Sequence, residues 1–213
     1  SEIPALDGSS HEYVKKIIKA GIKIQYASKS YLKVLKNIKV KDGNRYISIS
    51  PSTELTIDIT IDYPDTIIGN SQFYYSHSKD NFITQLAEAR TYAFFEDIEK
   101  MRTAGLAMGG NLNNALVVDK FKVLNPNGLR FEKEFVKHKT LDCIGDFYLL
   151  GMPLIGKINC LAPGHKLNQM FITEILKDKK NYTIEKAISN ECPDKIYSVL
   201  SKDKSLENLN NVA

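Results

Sequence analysis

Between Leu55 and Asp62 every second residue is apolar: Leu55, Ile57, Ile59 and Ile61 alternate with Thr56, Asp58, Thr60 and Asp62. Successive side chains of an extended strand point to opposite faces, so this run is a strand with one covered and one wet face. Such a strand needs neighbours in a sheet and a layer over its apolar side. The neighbours are legible. Leu32, Val34, Ile38 and Val40 lead into Asp42-Gly43, a hairpin signal, and Ile47 and Ile49 mark the return. Phe73 with Tyr75, Thr91 to Phe94, Leu116 to Leu124 and Lys157 to Cys160 read as further strands, the third followed by the turn Asn125-Pro126-Asn127-Gly128.

The covering layer comes from segments of helical period. Ser9 or Ser10 caps an amphipathic helix from His11 to Ala20 with Val14, Ile17 and Ile18 on one face, and Gly21 ends it. Asp80 to Ala89 and Glu96 to Thr103 read as shorter helices. Phe131 to Leu150 is the longest helical pattern, and Gly164 to Leu176 the last firm one. From Asp178 on the chain is polar and weakly patterned. Hairpins mixed with helices, rather than strictly alternating units, give an α+β fold.

Composition removes several classes. Of 213 residues, 43% are hydrophobic and 25% charged, ordinary globular values that exclude a disordered tail, a collagen-like fibre and a coiled coil. The longest apolar run, Phe147 to Gly156, is about half a membrane span. Cys143, Cys160 and Cys192 form no CxxC pair, which argues against a disulfide framework or a cysteine zinc knuckle. No charged-then-apolar leader opens the chain, and the expected location is the cytoplasm. Residues 13–46 carry ten basic side chains against one acid, a patch suited to phosphate, an anionic membrane surface or plain solvation. Without aromatic-basic alternation or a helix-turn-helix, no nucleic-acid partner is expected.

Candidate chemistry sits on the longest helix. His138 and Asp142 are four residues apart and Asp146 is a turn further, so all three share one face. An imidazole and a carboxylate at that spacing can hold a divalent metal; they also make an ordinary hydrogen-bonded stripe. The flanking Val136, Leu141, Ile144 and Leu149 favour a stripe with partners, because buried charges are costly when unpaired. His165 follows Pro163-Gly164 and opens a helix, where a carboxylate such as Asp146 would be needed to keep it protonated. His11 and His77 lie in polar contexts and read as surface residues. A complete three-ligand zinc site is not visible.

Several stretches, in order, match one family: Glu2-Ile3-Pro4 with Asp7-Gly8-Ser9, Ala89-Arg90-Thr91-Tyr92, Gly105 to Gly110, Val123-Leu124-Asn125, Gly128 to Phe131, Glu134 to Gly151, and Gly164-His165 with Leu167-Asn168. The chain resembles the C-terminal two-thirds of the UDP-3-O-acyl-N-acetylglucosamine deacetylases, zinc amidases of lipid A biosynthesis in Gram-negative bacteria. The resemblance implies two-layer α+β domains, with residues 1–26 ending a truncated first domain and 27–213 forming the second. It implies Zn2+ as cofactor with His138 and Asp142 as ligands. His165 would stabilise the oxyanion and protonate the leaving amine, Asp146 would orient it, Thr91 would hydrogen-bond the tetrahedral intermediate, and Lys139 would line the site. An insert after Thr91 would form the acyl passage; here it offers Phe94, Phe95, Ile98, Leu106, Ala107, Leu112 and Val117 beside Tyr92.

Three departures accompany the match. The family's third zinc ligand and general base are an adjacent Glu-His pair preceding the Ile-Pro stretch, expected here from a missing N-terminal segment. Ala162 stands where a Lys for the nucleotide phosphates is usual, and Tyr92 where Phe is usual. The expected partners are therefore UDP-3-O-acyl-N-acetylglucosamine and that N-terminal segment, with a peripheral membrane contact. The competing expectation is a non-catalytic fragment that binds acyl or nucleotide ligand or the missing part.

Overall fold

Helix α1 spans His11–Ala20, as its flanking residues require. Ser9 Oγ accepts the His11 N–H at 3.2 Å, whereas Ser10 donates its hydroxyl to the Ala87 carbonyl at 3.1 Å. Gly21 closes the helix at φ +83°, a conformation without penalty only for glycine. The computed structural model describes residues 3–23, 25 and 27–187. Cys192 lies outside them.

Strands β1 (Lys29–Val34), β2 (Ile38–Asp42) and β3 (Arg45–Ser50) follow, the last two as a hairpin with Asp42 opposite Arg45 and Gly43 at φ +62°. β4 (Leu55–Tyr63) buries Ile57, Ile59 and Ile61 and pairs antiparallel with β5 (Gly69–Ser76). α2 (Lys79–Asn81) runs into a π-helical turn over Phe82–Leu86. β6 (Tyr92–Phe94) leads directly into α3 (Phe95–Thr103) and pairs parallel with β7 (Leu116–Val118). α4 (Glu134–Phe147), β8 (Leu154–Leu161), α5 (His165–Leu176) and β9 (Tyr182–Ala187) complete the described order.

β8 is the centre of the main sheet. It pairs antiparallel with β3, parallel with β4, and at Leu154 and Ile155 parallel with β1. α4 packs over β4 and β5, and α5 over β2 and β3, giving a two-layer α+β arrangement. Ile47, Ile49, Ile57, Ile59, Ile158, Val136, Leu167 and Phe171 meet between the layers. Each such side chain contributes about 1.5–3 kcal/mol by leaving water.

Several elements differ from the pattern reading. β8 is twice the expected length because Gly156 sits within it; a Cβ there would stand 2.5 Å from the Ile49 side chain. α4 starts at Glu134, not Phe131, because Lys133 takes a left-handed φ of +63°. The strand at Leu116 stops at Val118, and Asn125 replaces the missing ladder by accepting the Val117 N–H at 2.8 Å and donating to the carbonyls of Leu112 and Ala115. The polar tail contains β9, which pairs with β1 along its whole length. His11 is half-buried rather than on the surface, with Nε2 3.5 Å from Glu88. α1 buries none of its residues.

Candidate active site

The polar stripe of α4 faces the segment Ala89–Tyr92. His138 is buried, with Nδ1 3.1 Å from the Ala89 carbonyl and Nε2 3.3 Å from Asp142 Oδ1. A carbonyl only accepts, so Nδ1 carries the proton and Nε2 presents its lone pair to the carboxylate. Burial holds the His138 pKa below the ordinary histidine value, against the opposing pull of Asp142 and the Ala89 carbonyl. Two electron-rich atoms thus converge at short range, an arrangement a cation between them would satisfy. Lys139 Nζ lies 3.0 Å from Asp142 Oδ2 and 5.5 Å from the centre of the Tyr92 ring. Burial opposes the lysine charge, and Asp142 overcomes that opposition, leaving the Lys139 pKa above the usual value.

Tyr92 packs edge-on to His138 and hydrogen-bonds the Tyr63 hydroxyl at 3.3 Å. Burial pushes its phenol far upward, so it stays neutral. Thr91 is fixed through its backbone: its N–H donates to the Gly8 carbonyl at 2.9 Å, and its carbonyl accepts the Leu116 N–H at 2.7 Å. The structure therefore brings Tyr92, His138, Lys139 and Asp142 together, with Thr91 next to Tyr92 in the chain and held through its backbone.

One turn along α4, Asp146 Oδ2 receives His165 Nδ1 at 2.8 Å. The His165 side chain is 72% exposed, so its second nitrogen is free to meet a ligand from solvent. Asn168, buried on the first turn of α5, donates to the same Asp146 oxygen at 2.7 Å. Pattern reading gave Asn168 no role; its spacing of three from His165 was the available signal. Ala162 holds a left-handed φ of +46° and brings no charge to this loop. Of the basic patch, Lys15, Lys33 and Arg45 are spent on Glu12, Glu185 and Asp42.

Beyond Tyr92 a cavity of about 270 Å³ opens between α3, β6 and β7, lined by Phe95, Ile98, Met101, Ala107, Leu112, Ala115 and Val117 among others. Phe94 faces a neighbouring cleft with Thr66 and Lys120, and Tyr92 faces His138; neither lines this cavity.

Residues 1–177 match the family model described as UDP-3-O-acyl N-acetylglycosamine deacetylase. The chain belongs to that family. It is 41% identical over 186 residues to the UDP-3-O-acyl-N-acetylglucosamine deacetylase of a Nitratiruptor species, covering 87% of this chain and 62% of the relative. The Campylobacter hominis protein of the same name is 42% identical over 194 residues, 90% of this chain and 66% of the relative. The Sulfurimonas denitrificans protein is 41% identical over 183 residues, 86% of this chain and 62% of the relative. The chain thus spans just under two-thirds of the length of the curated relatives it matches.

The zinc expected of this deacetylase family can be tested against the donor set. Donors about 2.0–2.2 Å from a tetrahedral zinc stand roughly 3.4 Å apart. The 3.3 Å between His138 Nε2 and Asp142 Oδ1, together with the proton on Nδ1, fits two adjacent positions of such a site. Among the described residues no group of three or more His, Cys, Asp or Glu side chains is gathered. Cys143 lies beside Asp142 in sequence, but its hydrogen bond with Cys160 and its burial push the thiol well up and keep it a poor donor. Among the described residues no helix is long and apolar enough to cross a membrane.

Proposed function

We propose that this chain carries the metal-holding and acyl-binding part of a zinc-dependent deacetylase that removes the acetyl group of UDP-3-O-acyl-N-acetylglucosamine in lipid A biosynthesis. The reaction belongs in the cytoplasm, with a peripheral contact to the membrane. The relatives' printed name supports the substrate class. The observation that carries the reading is the pair His138 Nε2 and Asp142 Oδ1, converging at 3.3 Å with Nδ1 already committed to Ala89. A segment outside the given sequence would supply the third ligand and the general base as an adjacent Glu-His pair. Residues 1–26 would belong to that first domain; in support, α1 leaves Ile17 exposed and buries no side chain here.

When bound, zinc supplies a polarised acetamide carbonyl and a water acidic enough to attack near neutral pH. Apart from the third ligand and the general base, the remaining roles fall to this chain's own residues. Asp146 holds a proton at His165 Nδ1 and turns Nε2 outward, so a second proton at Nε2 can stabilise the oxyanion and pass to the departing amine. Asn168 holds the Asp146 oxygen in that alignment. Thr91, pinned at both backbone atoms, offers its hydroxyl to the tetrahedral centre. Lys139, kept charged by Asp142, lines the site with positive potential. Phe95, Ile98, Ala107 and Leu112 take the acyl chain.

A second reading, ligand binding without turnover, draws on the cavity, whose named walls all come from this chain, whereas its metal donors stop at two among the described residues. Acetate release separates the two. The chain is mixed with the segment of the Nitratiruptor relative that it does not cover, and supplied with zinc and substrate. The deacetylase reading expects release that His138→Ala abolishes. Acyl-ligand binding with no release, while the intact relative turns over, would favour the second reading.

A further inference from the structure

The buried Arg90–Glu134 pair takes no part in the proposed chemistry. Glu134 is fully buried and Arg90 is 8% exposed. The Glu134 carboxylate accepts four hydrogen bonds: Oε1 from the Arg90 N–H at 3.1 Å and Nε at 2.8 Å, Oε2 from Arg90 Nη2 at 3.0 Å and the Arg130 N–H at 2.7 Å. A buried ion pair is weak evidence for stability, since apolar residues of the same volume often serve as well. What this pair fixes is more specific. The Ala89 carbonyl and the Arg90 N–H belong to one peptide group. Its N–H is held by Glu134 and its oxygen by His138 Nδ1, four residues later on the same face of α4.

That peptide group decides between two states of the His138 ring. With the Ala89 oxygen in place, the proton belongs on Nδ1 and Nε2 is left open toward Asp142. Were the peptide to turn away, the ring proton would move to Nε2 and be donated to Asp142, closing the metal-facing lone pair. We propose that Arg90 and Glu134 are positioning residues: they clamp the Ala89–Arg90 peptide so that His138 presents Nε2 as an acceptor. The inference rests on the metal-ligand reading of His138 for its function, but its geometry stands apart from activity.

The test is nitrogen NMR of the His138 ring in metal-free chain at about pH 8, above the ordinary histidine pKa. Wild type is compared with the double variant Arg90→Met/Glu134→Leu, which removes the charges and keeps the packing. The expected result is an Nδ1–H tautomer in wild type and a shift of at least about tenfold toward Nε2–H in the folded double variant. An unchanged tautomer in the folded variant, or an Nε2–H tautomer already in wild type, overturns the proposal. If the variant does not fold, amide exchange in wild type decides. The Arg90 amide should be slowed at least about a thousandfold, in step with the core of α4. Rapid exchange of that amide while α4 stays protected overturns the clamp. Neither readout needs zinc or substrate, so a failure of the deacetylase reading would appear separately, as lost metal binding or acetate release.

Discussion

Asn168 Nδ2 and Asp146 Oδ2 lie 2.7 Å apart, on the same carboxylate oxygen that receives His165 at 2.8 Å. His165, the acid–base group of the proposed mechanism, thus shares its carboxylate with a buried amide. Replacing Asn168 by Leu keeps the volume and removes the donor. Acetate release by the completed protein should fall about tenfold in kcat with little change in KM, against roughly 10²–10⁴-fold for His165→Ala. An unchanged kcat for Asn168→Leu would remove the amide from the machinery.

Gly8 anchors Thr91 and has no room for a side chain. A Cβ there would fall 2.0 Å from the Asn114 carbonyl oxygen, and φ is +80°. Gly43, at φ +62° with open space around it, isolates the conformational part alone. Gly43→Ala should cost about 1–2 kcal/mol and Gly8→Ala clearly more, read from denaturant midpoints. Equal losses would mean that the Asn114 contact yields freely.

Asp7 gives a pH signature. Burial raises its carboxyl pKa, but hydrogen bonds from Arg130 and Ser9 outweigh this and leave it below the ordinary 3.8. The folded chain therefore takes up this proton less readily than the unfolded chain. The contact adds stability above the ordinary carboxylate range and loses it as pH falls through the lower folded-state value. The stability gap between wild type and Asp7→Asn, measured by urea unfolding, should be constant near neutrality and shrink below about pH 4. A gap that widens in acid would reverse the sign.

How much of this was legible follows from what each residue exposes. β4 announced itself because one face is buried and the other wet. α1 did so because Ser9-Ser10 and Gly21 mark its ends. β9 did not: it lies at the end of the strand order against β1, Ile184 is exposed and Tyr182 is only partly buried against the core, so no alternation stands out in the sequence. The stripe of His138, Asp142 and Asp146 followed from spacing, and its link to His165 followed from the chemistry of a helix N-terminus. The Ala89 carbonyl that fixes the His138 proton is backbone and leaves no mark in sequence. Pattern reading gave Glu134 no role of its own, and only the tertiary fold reveals that it is buried against Arg90.

The cavity beside Tyr92 predicts a chain-length response. Each methylene buried there is worth about 0.8 kcal/mol, or roughly fourfold in affinity, until the chain reaches the end wall. Ala115→Leu should bring that plateau forward by about three carbons, measured by binding of UDP-sugars of graded acyl length. The same plateau in variant and wild type would take the acyl chain out of this cavity.

Zinc affinity of the chain, wild type beside His138→Ala and Asp142→Ala, bears most directly on the proposed metal site. The geometry predicts that wild type binds zinc and that each variant loses at least about tenfold in affinity, with the fold intact by circular dichroism. Zinc bound equally by all three proteins would contradict it, and would put the metal elsewhere than between His138 and Asp142.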